Sequence, residues 1–148
     1  MRHVLAGFVV FCFLLAGPEN AAAASSEVPP KLKRCPSTPN CVSSLAQTPR
    51  HKIEPLRMQQ SAEKAMLTLK AVIAAYPRTK IITEMQNYIR TEFRVNTGFI
   101  DDVEFLIDET AGVVHVRSAS RLGYWDFGAN RKRIEKIRKL YSKGMSAP

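Results

Sequence analysis

The sequence holds no Gly-rich phosphate loop, no dinucleotide fingerprint and no group of His, Cys, Asp and Glu at metal-ligand spacing. Those absences exclude P-loop phosphate chemistry and Rossmann-type cofactor binding, and they leave no cofactor to expect. A nucleophile elbow of the G-x-S-x-G type is missing too. No apolar run reaches the roughly 20 residues that a spanning helix needs. Acidic side chains are in the minority: 13 Asp and Glu stand against 22 Lys and Arg, for a formal net charge of +9. Such a balance draws a small protein to anionic surfaces. The expected partner is an anionic ligand or a membrane surface; nothing beyond the charge points to nucleic acid, and none is expected.

Cysteine is scarce, and its placement is informative. Arg2 and His3 precede an apolar run from Val4 to Ala16, then Gly17-Pro18 and a small-residue stretch, Ala21 to Ser25. This is the pattern of a secretory leader over residues 1–24, cut after Ala23 or Ala24. The expected location is periplasmic or secreted, with an uncleaved leader acting as membrane anchor as the alternative. Cys12 leaves with the leader. Cys35 and Cys41 remain and bracket CPSTPNC. An even pair in an exported chain predicts a disulfide. Its short loop contributes on the order of 2 kcal/mol. A zinc site from Cys35, Cys41 and His51 lacks a second ligand pair.

Prolines at 29, 30, 36, 39, 49 and 55 make residues 25–55 a linker followed by an irregular arm, with Val42 and Leu45 as anchors. The domain proper is expected over 56–144, with 145–148 as a tail. Ser61 caps a helix in which Met66, Leu69, Val72 or Ile73, and Tyr76 recur at helical spacing until Pro77. Four strand-like runs follow: Lys80 to Gln86, Tyr88 to Val95, Asp102 to Asp108 and Val113 to Ser118. They alternate in polarity and are joined by short turns at Asn87, Asn96-Thr97-Gly98 and Thr110-Ala111-Gly112. A last helix starts near Ala129 or Asn130, carries Ile134, Ile137, Leu140 and Tyr141, and stops at Gly144. The predicted fold is α+β: an antiparallel four-stranded sheet flanked by an N-terminal and a C-terminal helix, in the order α-β-β-β-β-α. One sheet face is buried under the helices and the other solvated.

The densest polar chemistry lies in RSASRLGYWDFGANRKR, Arg117 to Arg133. Arg131, Lys132 and Arg133 fall in the first turn of the last helix, where the helix dipole disfavours cations. One reading gives the helix N-terminus an anion, held by Arg117, Arg121, Arg131 and Arg133 with Ser118, Ser120, Asp126 and Asn130 completing the set. A second makes the cluster structural: Asp126 pairs with Arg121 or Arg131, Asp126 or Glu135 offsets the misplaced cations, Asn130 is an N-cap, and Gly123 and Gly128 take positive φ. A third assembles a hydrolase set from His115, Ser120 and Asp126, without a recognisable oxyanion hole. Trp125 is expected to pack the turn against the sheet.

CPSTPNCVSS, IDDVEFLID and HVRSASRLGYWDFGANRKRIEKIR together resemble the family called domain of unknown function 1499, over about Cys35 to Tyr141. The resemblance implies a small, often exported or membrane-tethered protein with no assigned cofactor, and it offers no catalytic residues. The functional expectation is therefore non-catalytic binding of an anionic small molecule, headgroup or envelope polymer, with the hydrolase-like and purely structural readings as alternatives.

Overall fold

The computed structural model describes residues 30–95 and 98–146. The expected leader, and Asn96 and Thr97 of one turn, lie outside them. In chain order the elements are β1 (Cys41–Ser43), β2 (Leu56–Arg57), α1 (Ala62–Ala74), β3 (Thr79–Met85), β4 (Tyr88–Arg94), β5 (Ile100–Asp108), β6 (Val113–Ser120) and α2 (Ala129–Met145). The fold is α+β, and the four long strands and both helices occupy the periodic stretches. Among the described residues the sheet nevertheless has six strands, not four. The Pro-rich arm supplies β1 and the chain entering α1 supplies β2, two segments too short to show a period of their own.

The sheet runs β1-β6-β5-β4-β3, with β2 also on β6, and all the strand pairs are antiparallel. β1 and β2 lie end to end along β6, β1 opposite Arg117 to Ala119 and β2 opposite Val113 and Val114. They cover an edge that would otherwise expose unpaired backbone. A parallel bridge from Ser43 to Lys52 folds the arm back on itself.

Alternation puts Ile89, Thr91 and Phe93 on the same face as Val103, Phe105 and Ile107 of β5 and Val114 and Val116 of β6. These apolar side chains form one core with Leu69, Val72 and Ile73 of α1 and Ile134, Ile137 and Tyr141 of α2. Both helices therefore cover one face. The opposite face differs from expectation: it is not simply solvated. Tyr88, Glu104 and Arg117 are buried there. Leu32 of the arm is buried as well, and it lines with Cys35 and Leu106 a cleft of about 550 Å³. The arm thus lies over the face that alternation alone assigns to water. Of its two expected anchors, Val42 is buried and Leu45 is not.

Ser61 caps α1, its Oγ accepting the Lys64 N–H at 3.3 Å, and Glu63 sits in the first turn. α1 ends at Ala74, so Tyr76 packs on the core from outside the helix. Gly144 does not stop α2, which continues to Met145, itself 1% exposed. A Cβ at position 144 would lie 2.7 Å from Thr68 Cγ2 of α1. Gly144 is the point of close approach of the two helices, a role that sequence position alone does not distinguish from a C-terminal stop. No helix among the described residues is long and apolar enough to cross a membrane.

Candidate anion site between the disulfide arm and the aromatic turn

The polar motif spans the end of β6, a turn and the start of α2, so alternation and the turn send its side chains in different directions. Asp126 is the residue that shapes the turn. Its Oδ1 accepts the Gly128 N–H at 2.9 Å, and its Oδ2 accepts the Asn130 N–H at 2.8 Å. Asp126 therefore satisfies the helix N-terminus and pairs with no arginine among the described residues, and Asn130 is not the cap. Gly123 and Gly128 do take positive φ, 87° and 76°. Phe127 between them has φ 52°, a conformation a bulky residue adopts only when its surroundings hold it.

Asn130 is fully buried and joins the arm to the motif. Its Nδ2 donates to the Asn40 carbonyl at 3.0 Å, to Ser120 Oγ at 3.0 Å and to Asp126 Oδ2 at 2.8 Å. Its Oδ1 accepts from Ser118 Oγ at 2.6 Å and from Arg133 Nη1 at 2.7 Å. Arg133 also pairs with the buried Asp101 and lies 5.1 Å from the centroid of the Phe93 ring. Asn40 Nδ2 in turn donates to the Gly123 carbonyl at 2.6 Å. The Cys35–Cys41 disulfide ties the arm to the first residue of β1. Ser118, Ser120, Asp126, Asn130 and Arg133 thus come together in one satisfied network.

The other arginines diverge. Arg117 lies on the arm-covered face, where Nη1 donates to Glu104 Oε2 at 2.9 Å and the Tyr88 hydroxyl donates to Glu104 Oε1 at 2.8 Å. Burial, then the hydrogen bond to Glu104, raises the Tyr88 hydroxyl well above the usual tyrosine range. Arg121 pairs with Glu92 and donates through Nε to Asp102 Oδ2 at 2.9 Å. That contact is the main reason the Asp102 carboxyl is held below its usual range against burial, with Arg90 adding to it. Glu135 pairs with Arg138, at 3.0 Å, and does not reach the first turn. The four motif arginines therefore do not line one pocket.

Arg131 points the motif elsewhere. Its Nη2 donates to the carbonyls of Arg50 at 3.1 Å and Lys52 at 2.8 Å, fastening the arm to α2. Arg131 and Arg50 line a cleft of about 460 Å³ with Pro39, Tyr124, Trp125 and Asp126. Neither arginine forms an ion pair among the described residues. Trp125 does not pack on the sheet: it is 62% exposed and stacks on Phe127 at 4.9 Å between centroids. Arg50 carried no signal in the sequence, because β1 pairing rather than any local pattern brings it to α2. The aromatic turn did carry one, since three large aromatic residues, Tyr124, Trp125 and Phe127, between the left-handed Gly123 and Gly128 leave little chain with which to bury themselves.

Of the three hydrolase candidates, Ser120 and Asp126 meet at the Asn130 amide, whereas His115 projects from the opposite, arm-covered face of β6 and does not join them. His115 instead has Ser44 Oγ 3.1 Å from Nδ1 and Asp108 Oδ2 3.6 Å from Nε2. Ser44 Oγ accepts the Val116 N–H at 2.9 Å, which locks it to the sheet edge. His51 is similarly tied, to Thr48 Oγ1 and the Thr38 carbonyl, both at 3.1 Å.

These features define a small disulfide-tied α+β domain in which the polar motif mainly clasps an arm, and a helix N-terminus stands beside a cation-lined cleft. The family model described as "Protein of unknown function (DUF1499)" matches residues 31–140, and the chain belongs to that family. The match starts in the arm and ends within α2, so it includes every residue of the clasp. No curated protein matches the chain.

Proposed function

We propose that the protein is an exported, non-catalytic binding module for an anionic group, which it takes in the cleft between arm and aromatic turn. Arg50 and Arg131 supply the charge, and Tyr124 and Trp125 form the walls. The observation that carries this reading is the convergence, on one cleft beside exposed aromatics, of two arginines without carboxylate partners among the described residues. Every other arginine of the motif is neutralised by a carboxylate, so an incoming anion would have to displace an existing pair at those positions. Export fits the disulfide, which persists in oxidising compartments. Of the residues expected to bind, Asp126 and Arg131 remain at the site; Arg117, Ser118, Ser120, Arg121, Asn130 and Arg133 hold the fold around it.

The test is thermal unfolding in rising inorganic phosphate, sulfate and glycerol phosphate at fixed ionic strength. A ligand of the native state at about 100 times its Kd stabilises by roughly 2.7 kcal/mol. An anion-dependent rise in Tm is expected in the wild type and should be lost in Arg50→Gln, whose side chain bonds to no described residue. A paired change at Lys31 and Lys33, which line the cleft of about 550 Å³ beside Leu32 and Cys35, should leave the rise intact. A rise that survives Arg50→Gln, or none in the wild type, refutes the assignment.

A further inference from the structure

Among the described residues, five of the eight large hydrophobic side chains that are more than a third exposed lie at one end of the sheet: Phe99 at 50%, Leu122 at 66%, Tyr124 at 69%, Trp125 at 62% and Phe127 at 76%. They come from two turns far apart in sequence. Asp101 pairs with Ser120 in the β5–β6 ladder, and the Arg121 N–H donates to the Ile100 carbonyl at 3.1 Å. Phe99 and Leu122 therefore continue the two strands side by side past the last rung.

The turn is fastened from both ends. Asn40 Nδ2 holds the Gly123 carbonyl, and Asp126 holds the N–H groups of Gly128 and Asn130. Its aromatics are thus kept out in solvent by a fixed backbone, including the left-handed Phe127. Asp126 is the acid of this turn, and both its oxygens are committed to backbone donors. Cations flank the patch: Arg50 and Arg131 line the adjacent cleft, and Arg94, exposed, stands opposite Ile100 in the ladder. Arg94 too forms no ion pair among the described residues.

We propose that this end of the molecule docks onto the surface of an anionic lipid bilayer. Phe99, Leu122 and Phe127 enter the acyl boundary, Trp125 and Tyr124 sit at headgroup level, and Arg50, Arg94 and Arg131 face lipid phosphates. Tryptophan and tyrosine favour that interface because one end of the ring is apolar and the other polar. Apolar insertion and attraction of cations to anionic headgroups reinforce one another. A protein partner fits less well. Phe99, Leu122 and Phe127 stand out into solvent beyond the cleft lining. Apart from Asp126, whose oxygens are taken by backbone N–H groups, the flanking charges without an ion pair among the described residues are cations. The chain's net charge of +9 complements an anionic leaflet. This proposal rests on the anion-binding reading of the cleft and names its source.

Trp125 is the sole tryptophan, so its fluorescence reports on the patch directly. The experiment titrates the protein with vesicles of phosphatidylcholine containing phosphatidylglycerol, with pure phosphatidylcholine vesicles as comparison. A blue shift and quenching by bromo-acyl lipid are expected with the anionic vesicles, weakening as salt rises. A double change of Leu122→Ser with Phe127→Asn should cut partitioning by about tenfold or more. Asn suits the left-handed position, so the fold and the phosphate-dependent rise in Tm should be retained. A phosphate response without vesicle binding overturns the membrane proposal and leaves the cleft reading standing; loss of both responses in the wild type overturns both. If sedimentation shows that the protein self-associates, and the double change abolishes this without altering vesicle binding, the patch is an interface between copies and the proposal fails.

Discussion

Asp126 accepts three N–H groups with one carboxylate, so removing it leaves the first turn of α2 without a cap and the Asn130 amide with one partner fewer. Asp126→Ala should cost about 1–2 kcal/mol in urea unfolding. It should also reduce the fluorescence anisotropy of Trp125, because the aromatic turn loses one of its two fastenings. Glu104 is a stronger case. It is 1% exposed and holds both Arg117 and Tyr88. Glu104→Gln keeps the shape but leaves a buried guanidinium without its counter-charge, which costs about 3–5 kcal/mol. Tyr141 goes the other way. Its buried hydroxyl finds no hydrogen-bond partner among the described residues, and burial pushes it up to about 12. Unfolded tyrosine titrates near pH ~10. Between that pH and the folded value the unfolded state releases a proton that the folded state keeps, so stability falls as pH rises. Tyr141→Phe should remove this part of the alkaline loss. At neutral pH it should be neutral or stabilising by up to about 1 kcal/mol.

Among the elements, the contact between α1 and α2 depends on Gly144. Replacing it by Ala raises helix propensity by about 1 kcal/mol. The added Cβ would meet Thr68 Cγ2 at 2.7 Å, and Thr68 is itself buried, so either its side chain must turn within the core or the helices must separate. Overpacking of this kind costs about 1–3 kcal/mol. The clash should win, and Gly144→Ala should lower the urea midpoint. In a Thr68→Ser background, which lacks Cγ2, the same change should raise it. The reversal in sign separates close approach from a helix-stop role. β1 shows a related dependence: three residues in a Pro-rich arm become a strand only because β6 offers an open edge and Asn130 seizes the Asn40 carbonyl.

For the molecule as a whole, charge sets the acid limit. Asp102 is ionised more readily in the fold than in the unfolded chain, chiefly through Arg121. Its contribution is present above the unfolded value of about 4 and is lost as pH falls through the lower folded value. Asp102→Asn should therefore flatten the stability profile below about pH 4, measured by thermal unfolding across that range. Local pattern determined much of this protein: the α+β class, both helices, the four long strands and their faces, the Cys35–Cys41 pair, and the positive φ of Gly123 and Gly128. Those follow from hydrophobic period and from residues whose conformational limits act within a few positions. The destination of each motif arginine was not legible, because Glu92, Asp101, Asp102 and Glu104 are chosen by strand register and not by proximity in sequence. The same holds for Arg50 beside Arg131, for Leu32 and the arm over the second sheet face, and for Trp125 standing out in solvent. Each depends on which segments meet across the sheet, and strand pairing, an interaction between distant parts of the chain, is decided only when the whole core closes.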